Sequence, residues 1–267
     1  SGFPVRSHRK IRYCKRSDEV KILFAAPALP RYDQESGGNR LFKILELLRK
    51  HKHSVTFVCH EFLSSSNVKY SRALQKLGIE CFDNPLNFLS TLKVNEFNVC
   101  ILGWYDFAET YIEIIKRVLP SAKIIVDSVD LHWLREERGL SLGALNLTSA
   151  EIAKNKSREK RTYAEADLVW AITEDDRKAI LREIPDCKIK IVSIIHRKYK
   201  EYVKNPVGSG VIFVGGFSHP PNESAALWGY EICQKFRERT RKNIVYYIVG
   251  SDPTPKIRSL HDGKNTI

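Results

Sequence analysis

The chain has 267 residues, of which 43% are hydrophobic and 28% are charged. This length suffices for one large or two modest domains, and the composition is that of a globular protein rather than a disordered or fibrous one. No run of about 18 apolar residues occurs, which argues against a membrane-spanning helix. The formal net charge of +13 leaves three partner classes open, namely nucleic acid, an anionic membrane surface and diphosphate-bearing substrates.

The positive charge is concentrated in the first 16 residues and in Lys154–Arg161. A solvated tail and a solvated helix face account for these runs as well as a binding surface does. The basic residues are not interleaved with aromatic residues in a nucleic-acid-binding motif, so we expect no nucleic acid partner. A basic nucleic-acid-binding domain stays open only as a third hypothesis, and it predicts steeply salt-dependent binding.

The cysteines and histidines bear on location and on metals. Six cysteines occur without a C-x-x-C pair, and Cys59, Cys81 and Cys100 lie in apolar runs typical of buried free thiols. This pattern predicts a reducing compartment, hence the cytoplasm. The basic N-terminal segment is expected to contact either an anionic membrane, at its inner face, or an adjoining domain. The sequence has no D-x-D triplet, no Walker A loop and no zinc-like histidine spacing, so we expect no metal site.

Short apolar runs alternate with amphipathic helical patterns over the first 140 residues. Between the runs, stripes such as Leu41, Ile44, Leu45 and Leu48 have the i, i+3, i+4, i+7 spacing of helices with one apolar face. Continuous apolar strands joined by helices predict α/β architecture with a parallel, doubly wound sheet, whose ligands bind beyond the carboxyl ends of the strands. The predicted strands are Lys21–Pro27, Ser54–His60, Ile79–Phe82, Val99–Gly103 and Ile124–Val126.

Two capping patterns follow in the next part of the chain. Thr148 to Glu151 form a capping box that opens a charged helix ending near Ala166, and Thr173 to Asp176 open another helix. Further strands are predicted at Leu168–Ile172 and Ile191–Ile195. The polar stretch Arg197–Gly210 then reads as an interdomain linker.

A new α/β unit begins at Val211–Gly216 and continues through a turn, a helix and a strand at Ile244–Gly250. Two strands do not bury a doubly wound core, so the sequence predicts that this second domain is incomplete. The predicted organisation is a basic extension at 1–19, a Rossmann-like domain at 20–200, a linker at 201–210 and a partial Rossmann-like domain at 211–267.

Four motifs occur in the order typical of one enzyme family: Gly37-Gly38, Asp127–Arg138, Ala166–Asp176, and Val211–Asn222 with Gly250-Ser251. Over roughly residues 20 to 262 the chain resembles the retaining GT-B glycosyltransferases of family four. The resemblance implies two Rossmann-like domains, a nucleotide-diphosphate sugar as co-substrate with no other cofactor, and a glycan or lipid-linked acceptor, as in polysaccharide biosynthesis. The family's C-terminal motif of two glutamates separated by seven residues would lie beyond residue 267, so we expect a truncated enzyme.

Gly37 and Gly38 lie where a ligand-binding loop is expected, between the first strand and the first helix. Glycine lets backbone amides approach a phosphate, and a helix N-terminus favours anions. Arg40 adds a guanidinium fork suited to phosphate. These three residues are predicted to bind the donor phosphates, and a plain tight turn is the alternative for the two glycines.

After the fifth strand, the resemblance implies that His132 contacts the donor sugar, and His132 and Asp130 are the predicted catalytic pair. Asp127 and Arg135 are predicted to bind the acceptor. A structural histidine and a surface salt bridge of Arg135 remain as alternatives.

Gly215, Gly216, His219 and Asn222 form the equivalent turn of the second domain and are predicted to bind the donor phosphates. Many family members have an arginine and a lysine here, which this chain lacks. The alternative for Asn222 is a helix N-cap.

Two functional alternatives stay open beside glycosyl transfer. One is a sugar-nucleotide epimerase of the same fold. The other is a non-catalytic acceptor-binding or assembly module whose donor half is missing.

Overall fold

The computed structural model describes residues 19–61, 67–141, 147–196 and 210–267. The chain divides into two compact units, residues 1–197 and residues 198–267. Most of the predicted N-terminal extension and of the predicted linker lies outside the described residues, and the predicted domain boundaries remain a prediction. Within the described ranges, no helix has both the length and the apolar character needed to cross a membrane.

The first unit contains a seven-stranded sheet in which every neighbouring pair is parallel, in the order β3-β2-β1-β4-β5-β6-β7. Its strands are β1 (Lys21–Ala28), β2 (Ser54–Glu61), β3 (Glu80–Phe82), β4 (Val99–Gly103), β5 (Lys123–Asp127), β6 (Leu168–Ala171) and β7 (Ile189–Ile191). Parallel neighbours require crossover connections, and helices provide them.

The helices of the first unit lie between these strands. They are α1 (Ser36–Lys50), α2 (Val68–Lys76), α3 (Pro85–Thr91), α4 (Tyr105–Val118), α5 (His132–Ser141), α6 (Ser149–Ala164) and α7 (Glu174–Glu183). The capping boxes predicted at Thr148 and Thr173 are both present, each with the threonine hydroxyl accepting from the amide three residues on.

Helices cover both faces of the seven-stranded sheet, because successive strand residues point to opposite faces. Leu23 and Leu102 belong to one buried cluster, together with the apolar side of α4. Phe24 and Ile101, each the sequence neighbour of one of these leucines, belong to a second cluster with residues of α1 and α2. The strands are therefore apolar on both faces, as the continuous runs in the sequence predicted.

The structure departs from the predicted elements of the first unit at α3, at α5 and at the last strand, β7. The short helix α3 and the helix α5 were not predicted. The last strand ends at Ile191, whereas the sequence predicted Ile191–Ile195, since the carbonyls of Val192 and Ile195 accept hydrogen bonds from side chains of α1 instead of from a neighbouring strand.

The second unit has a parallel two-stranded sheet of β8 (Gly210–Val214) and β9 (Val245–Val249), joined by α8 (Pro220–Thr240) and followed by α9 (Pro255–Arg258). Phe213 and Ile248 pack toward a small core around Phe217 and Ala226. The two units confirm the predicted α/β fold class. The first unit has a parallel seven-stranded sheet, and the second, which follows it along the chain, has a smaller parallel sheet.

Candidate functional site

The candidate site lies at the carboxyl edge of the first sheet, where β1 and β4 are neighbours. From β1 the chain proceeds to β2 on one side, and β4 lies on the other, so this is the point where strand order reverses. Ligands of open α/β sheets bind in the crevice at such a point. A pocket of about 290 Å³ lies here, lined by residues that follow β1, by the start of α1 and by Trp104 and Asp106 after β4.

Gly37 and Gly38 belong to the first turn of α1, rather than to a turn before the helix as the sequence analysis placed them. Glu35 is the N-cap, in extended conformation. A Cβ on Gly38 would lie 2.8 Å from the backbone nitrogen and oxygen of Arg31. Gly38 therefore permits the loop after β1 to pack directly on the helix.

The first turn of α1 has three amide N–H groups, those of Ser36, Gly37 and Gly38, that donate to no acceptor among the described residues. The helix has no acidic residue in this turn. Free amides at the positive end of a helix favour an anion, and Gly37 and Gly38 place no side chain of their own beside them. Gly38 is buried against the backbone of Arg31, and the carboxylate of the N-cap Glu35 precedes the turn.

Arg40 and Asp127 do not fit the ligand-binding roles predicted for them. The Arg40 guanidinium is 1% exposed and binds both carboxylate oxygens of Asp127, at 2.6 and 3.0 Å. Its Nε and second terminal nitrogen donate to the Val192 carbonyl, at 3.0 and 2.8 Å. These contacts occupy the fork and the carboxylate, so the pair ties α1 to β5 and to the segment after β7.

Two bulky residues at this edge have left-handed backbone conformations, Trp104 with φ 63° and Val129 with φ 56°. Such conformations cost about 1 to 3 kcal/mol each outside glycine and cluster at functional sites. The Trp104 amide donates to the Asp127 carbonyl at 2.9 Å. A Cβ on Gly37 would lie 3.7 Å from Val129 Cγ1, so the strained loop after β5 adjoins the glycine turn.

His132 opens helix α5 and is half-buried, with its ring edge-on to Tyr105 at 4.9 Å between centroids. Burial, with Arg135 nearby, lowers the pKa of His132, which favours the neutral imidazole. Asp130 forms an exposed ion pair with Arg135. The structure thus supports the salt-bridge alternative for Arg135, and it does not pair Asp130 with His132.

Sequence reasoning missed Glu159, which lies behind His132. Its carboxylate is fully buried and accepts from the amides of His132 (3.2 Å) and Trp133 (3.0 Å) and from the Tyr163 hydroxyl (2.7 Å). Burial raises the pKa of Glu159 to about 7. The N-terminus of α5 is therefore already capped by a carboxylate of the chain itself, unlike that of α1. Glu159 lies in the charged run Lys154–Arg161, for which a solvated helix face and a binding surface were both left open, so no sequence signal distinguished it.

Trp104 and Asp106 were also missed, although a signal existed. They follow the predicted strand Val99–Gly103 immediately, at the edge where ligands were expected. Ligands of open α/β sheets bind beyond the carboxyl ends of the strands, and this applies to the loop after β4 as it does to the loops after β1 and β5.

In the second unit, the turn before α8 offers fewer free amides than α1. The amides of Gly215 and Asn222 donate to Val249 and His219, and Pro220 and Pro221 have none. The N-cap of α8 is His219 and not Asn222, because the two prolines occupy the first two helical positions, where no N–H is needed. The Asn222 side chain donates to the Gly216 carbonyl at 2.8 Å.

The described ranges contain no group of three His, Cys, Asp or Glu side chains arranged to hold a metal ion. No known family model matches the chain. Among curated proteins, a 2,3-bisphosphoglycerate-dependent phosphoglycerate mutase of Corynebacterium jeikeium is 29% identical over 119 residues, which is 38% of this chain and 47% of that protein. The chain therefore spans about half the length of this curated relative.

Among solved structures, Medicago truncatula UGT71G1 complexed with UDP-glucose is similar with a TM-score of 0.50 and 10% identity, over 90% of this chain and 68% of that one. A UDP-glucosyltransferase from Polygonum tinctorium has a TM-score of 0.47 and 12% identity, over 94% and 71% of the two chains. The parallel seven-stranded sheet, the smaller parallel sheet and the likeness to UGT71G1 together give this chain a fold similar to that of GT-B glycosyltransferases.

Proposed function

We propose that this protein is a retaining GT-B glycosyltransferase of family four, which transfers a sugar from a nucleotide-diphosphate donor to a glycan or lipid-linked acceptor. We place it in the cytoplasm, in contact with the inner face of the membrane, in polysaccharide biosynthesis. The order of motifs from Gly37 to Ser251 supports the family, and the GT-B-like fold supports the class of enzyme.

One observation carries the proposal, the open first turn of α1 at the switch point of the sheet. In glycosyl transfer, negative charge develops on the leaving diphosphate. Preorganised N–H donors in such a place stabilise that charge in the transition state. We assign the amides of Ser36, Gly37 and Gly38 to the donor phosphates.

His132 supplies the second proposed contact. A neutral imidazole donates or accepts one hydrogen bond without adding charge beside a sugar ring that becomes positive. Glu159 and Tyr105 hold His132 in place, since one binds its backbone amide and the other packs against its ring. We assign Asp130 a positioning role, because its ion pair with Arg135 restrains the turn of α5 that carries His132.

In the second unit, we propose that the His219 imidazole and the Gly216 amide contribute donor contacts. No described residue accepts from the Gly216 amide, and the His219 side chain makes no capping hydrogen bond. Gly215 and Asn222 shape this turn, because a Cβ on Gly215 would lie 3.0 Å from Asn222 Cγ.

A test removes one amide from the α1 turn with little strain. Ser36 is the first helical residue and follows an extended N-cap, the position where proline fits best. We expect Ser36→Pro to weaken binding of UDP and UDP-glucose by roughly 10- to 100-fold, because one hydrogen bond to a charged group is lost. Ser36→Ala, which keeps the amide, serves as the matched control and should stay within about twofold.

Titration calorimetry with a panel of nucleotide diphosphates and their sugars measures the binding, and circular dichroism verifies folding. Release of nucleotide diphosphate only in the presence of an acceptor, with an unchanged anomeric configuration in the product by NMR, is the expected activity. Release without an acceptor, with an epimerised free sugar as product, indicates the epimerase, whereas release of the unchanged sugar is hydrolysis of the donor by water. A folded chain that binds no nucleotide diphosphate, or binds it equally well after Ser36→Pro, contradicts the proposal.

A further inference from the structure

The residues that line the pocket at the switch point differ in chemistry from the free amides in the first turn of α1 beside it. Its walls are the loop from Pro27 to Pro30, Leu41 and Trp104, with Glu35, Gly38 and Asp106 completing the rim. The volume of about 290 Å³ is at the small end of ligand-binding cavities. It suits a single ring and not an extended chain.

The apolar part of this lining matches one face of a sugar ring. Leu29, Leu41 and two prolines give aliphatic surface, and Trp104 adds an indole. A pyranose presents C–H groups on its faces and hydroxyls around its edge, so it buries its faces against apolar and aromatic groups and needs polar partners at the edge.

The polar part of the lining consists of acceptors. Glu35 and Asp106 are exposed, and among the described residues that line the pocket they are the charged ones, with no lysine, arginine or histidine. One oxygen of Asp106 accepts from the Phe107 amide at 2.9 Å, which leaves the other free. The Glu35 side chain makes no capping bond to α1. These oxygens accept bonds from hydroxyl or ammonium groups and repel anions.

The two neighbouring features therefore select opposite chemistries. The amides of α1 attract an anion, and the pocket that shares Gly38 with them disfavours one. A donor diphosphate carries negative charge, whereas an uncharged acceptor sugar does not.

We propose that this pocket binds the acceptor through a sugar unit that carries no negative charge, either a neutral hexose or an amino sugar, and excludes uronic acids and sugar phosphates. The inference rests on the proposed function, because only that function makes the bound sugar an acceptor. It narrows the acceptor to glycans or lipid-linked glycans whose terminal unit is uncharged or cationic.

The experiment titrates the intact chain with methyl glucoside, glucosamine, glucuronate and glucose 6-phosphate. NMR of the tryptophan indole N–H groups is the readout, with Trp104→Phe to assign the shifting signal and Trp228→Phe, in the second unit, as the matched control. We expect glucosamine and methyl glucoside to shift the Trp104 signal, and glucuronate and glucose 6-phosphate to bind at least about tenfold more weakly.

A double variant, Glu35→Gln with Asp106→Asn, keeps hydrogen-bonding groups in place and removes the charges. It should raise glucuronate affinity at least about fivefold and reduce the preference for glucosamine. Equal binding of anionic and neutral sugars by the original chain, or no shift of the Trp104 signal with any of the four, overturns the inference. If sugars bind as expected but UDP and UDP-glucose do not, the proposed function fails and the pocket stands as a sugar site without an acceptor role.

Discussion

The two units surround their sheets differently. In the first, both faces of seven parallel strands are covered by helices, and the interior holds an ion pair and a lone carboxylate. In the second, one face of two parallel strands packs on α8, while Ile212 (64% exposed) and Val214 (69% exposed) lie on the other. Similar apolar strand sequences thus end in different environments.

This difference in coverage determines whether a unit can hold charged side chains in its interior. Buried charges persist only where every hydrogen-bonding position is satisfied in a water-free interior. The first unit provides this for Arg40, Asp127 and Glu159. The described ion pair of the second unit, Lys256 with Glu223 at 3.5 Å, lies at the surface.

The largest expected effect breaks the buried ion pair. Asp127→Ala leaves the Arg40 guanidinium buried without a counter-charge, and we expect the free energy of unfolding of the first unit to fall by about 3 to 5 kcal/mol. Glu223→Ala removes the surface pair of the second unit and should cost at most about 1 kcal/mol.

Urea unfolding followed by tryptophan fluorescence measures both variants, and hydrogen exchange assigns the change to a unit. Equal losses for the two variants would show that the contrast in burial does not govern their energetics.

The next effect concerns pH. In the folded state the pKa of Glu159 is about 7, above its ordinary 4.5, so between these values the folded protein holds a proton that the unfolded chain has released. Stability therefore falls as pH rises from 4.5 to 7, by a contribution of roughly 3 kcal/mol. Glu159→Gln should flatten this slope, measured as urea midpoints across the window.

The second unit supplies a control of opposite sign. Three backbone amides donate to Asp262 and lower its pKa, so its contribution is present above pH 4 and is lost as the pH falls. Asp262→Asn should leave the slope between pH 4.5 and 7 unchanged. A slope that survives Glu159→Gln would contradict the assignment.

The smallest effect compares two isosteric changes. Val126→Thr, in β5, places a hydroxyl in a fully buried position and should cost about 1 to 3 kcal/mol. Val214→Thr, on the open face of β8, should stay within about 0.5 kcal/mol. Thermal unfolding of the two variants checks the difference, and a large cost for Val214→Thr would mean that this face is covered in solution.

The sequence predicted β1 to β6 closely, because buried parallel strands are continuous apolar runs such as Val99–Gly103. It misplaced β7, which was predicted at Ile191–Ile195 and is observed at Ile189–Ile191. It predicted the helix starts at Thr148 and Thr173 for a local reason, since a capping box is contained within four residues. Helix α5 escaped because its N-terminal amides are satisfied by Glu159, 27 residues away from His132, and not by a residue of its own.

The candidate site was predictable in place but not in role. The rule that ligands bind beyond the carboxyl ends of parallel strands identified the connections after β1 and β5, which lead to Gly37 and His132. The partner of each side chain, by contrast, depends on tertiary contacts. Arg40 looked suited to phosphate because the sequence does not reveal that β5 brings Asp127 against it.

The Arg40 contacts also set an order of events in folding. They join one side chain to groups 87 and 152 residues away along the chain, Asp127 and the Val192 carbonyl. Contacts of such separation form only after long loops close, so the guanidinium keeps its water until β5 and the segment after β7 have docked. Substitutions at Arg40 should thus accelerate unfolding far more than they slow refolding. The contacts of this one side chain stabilise the first unit only late in folding.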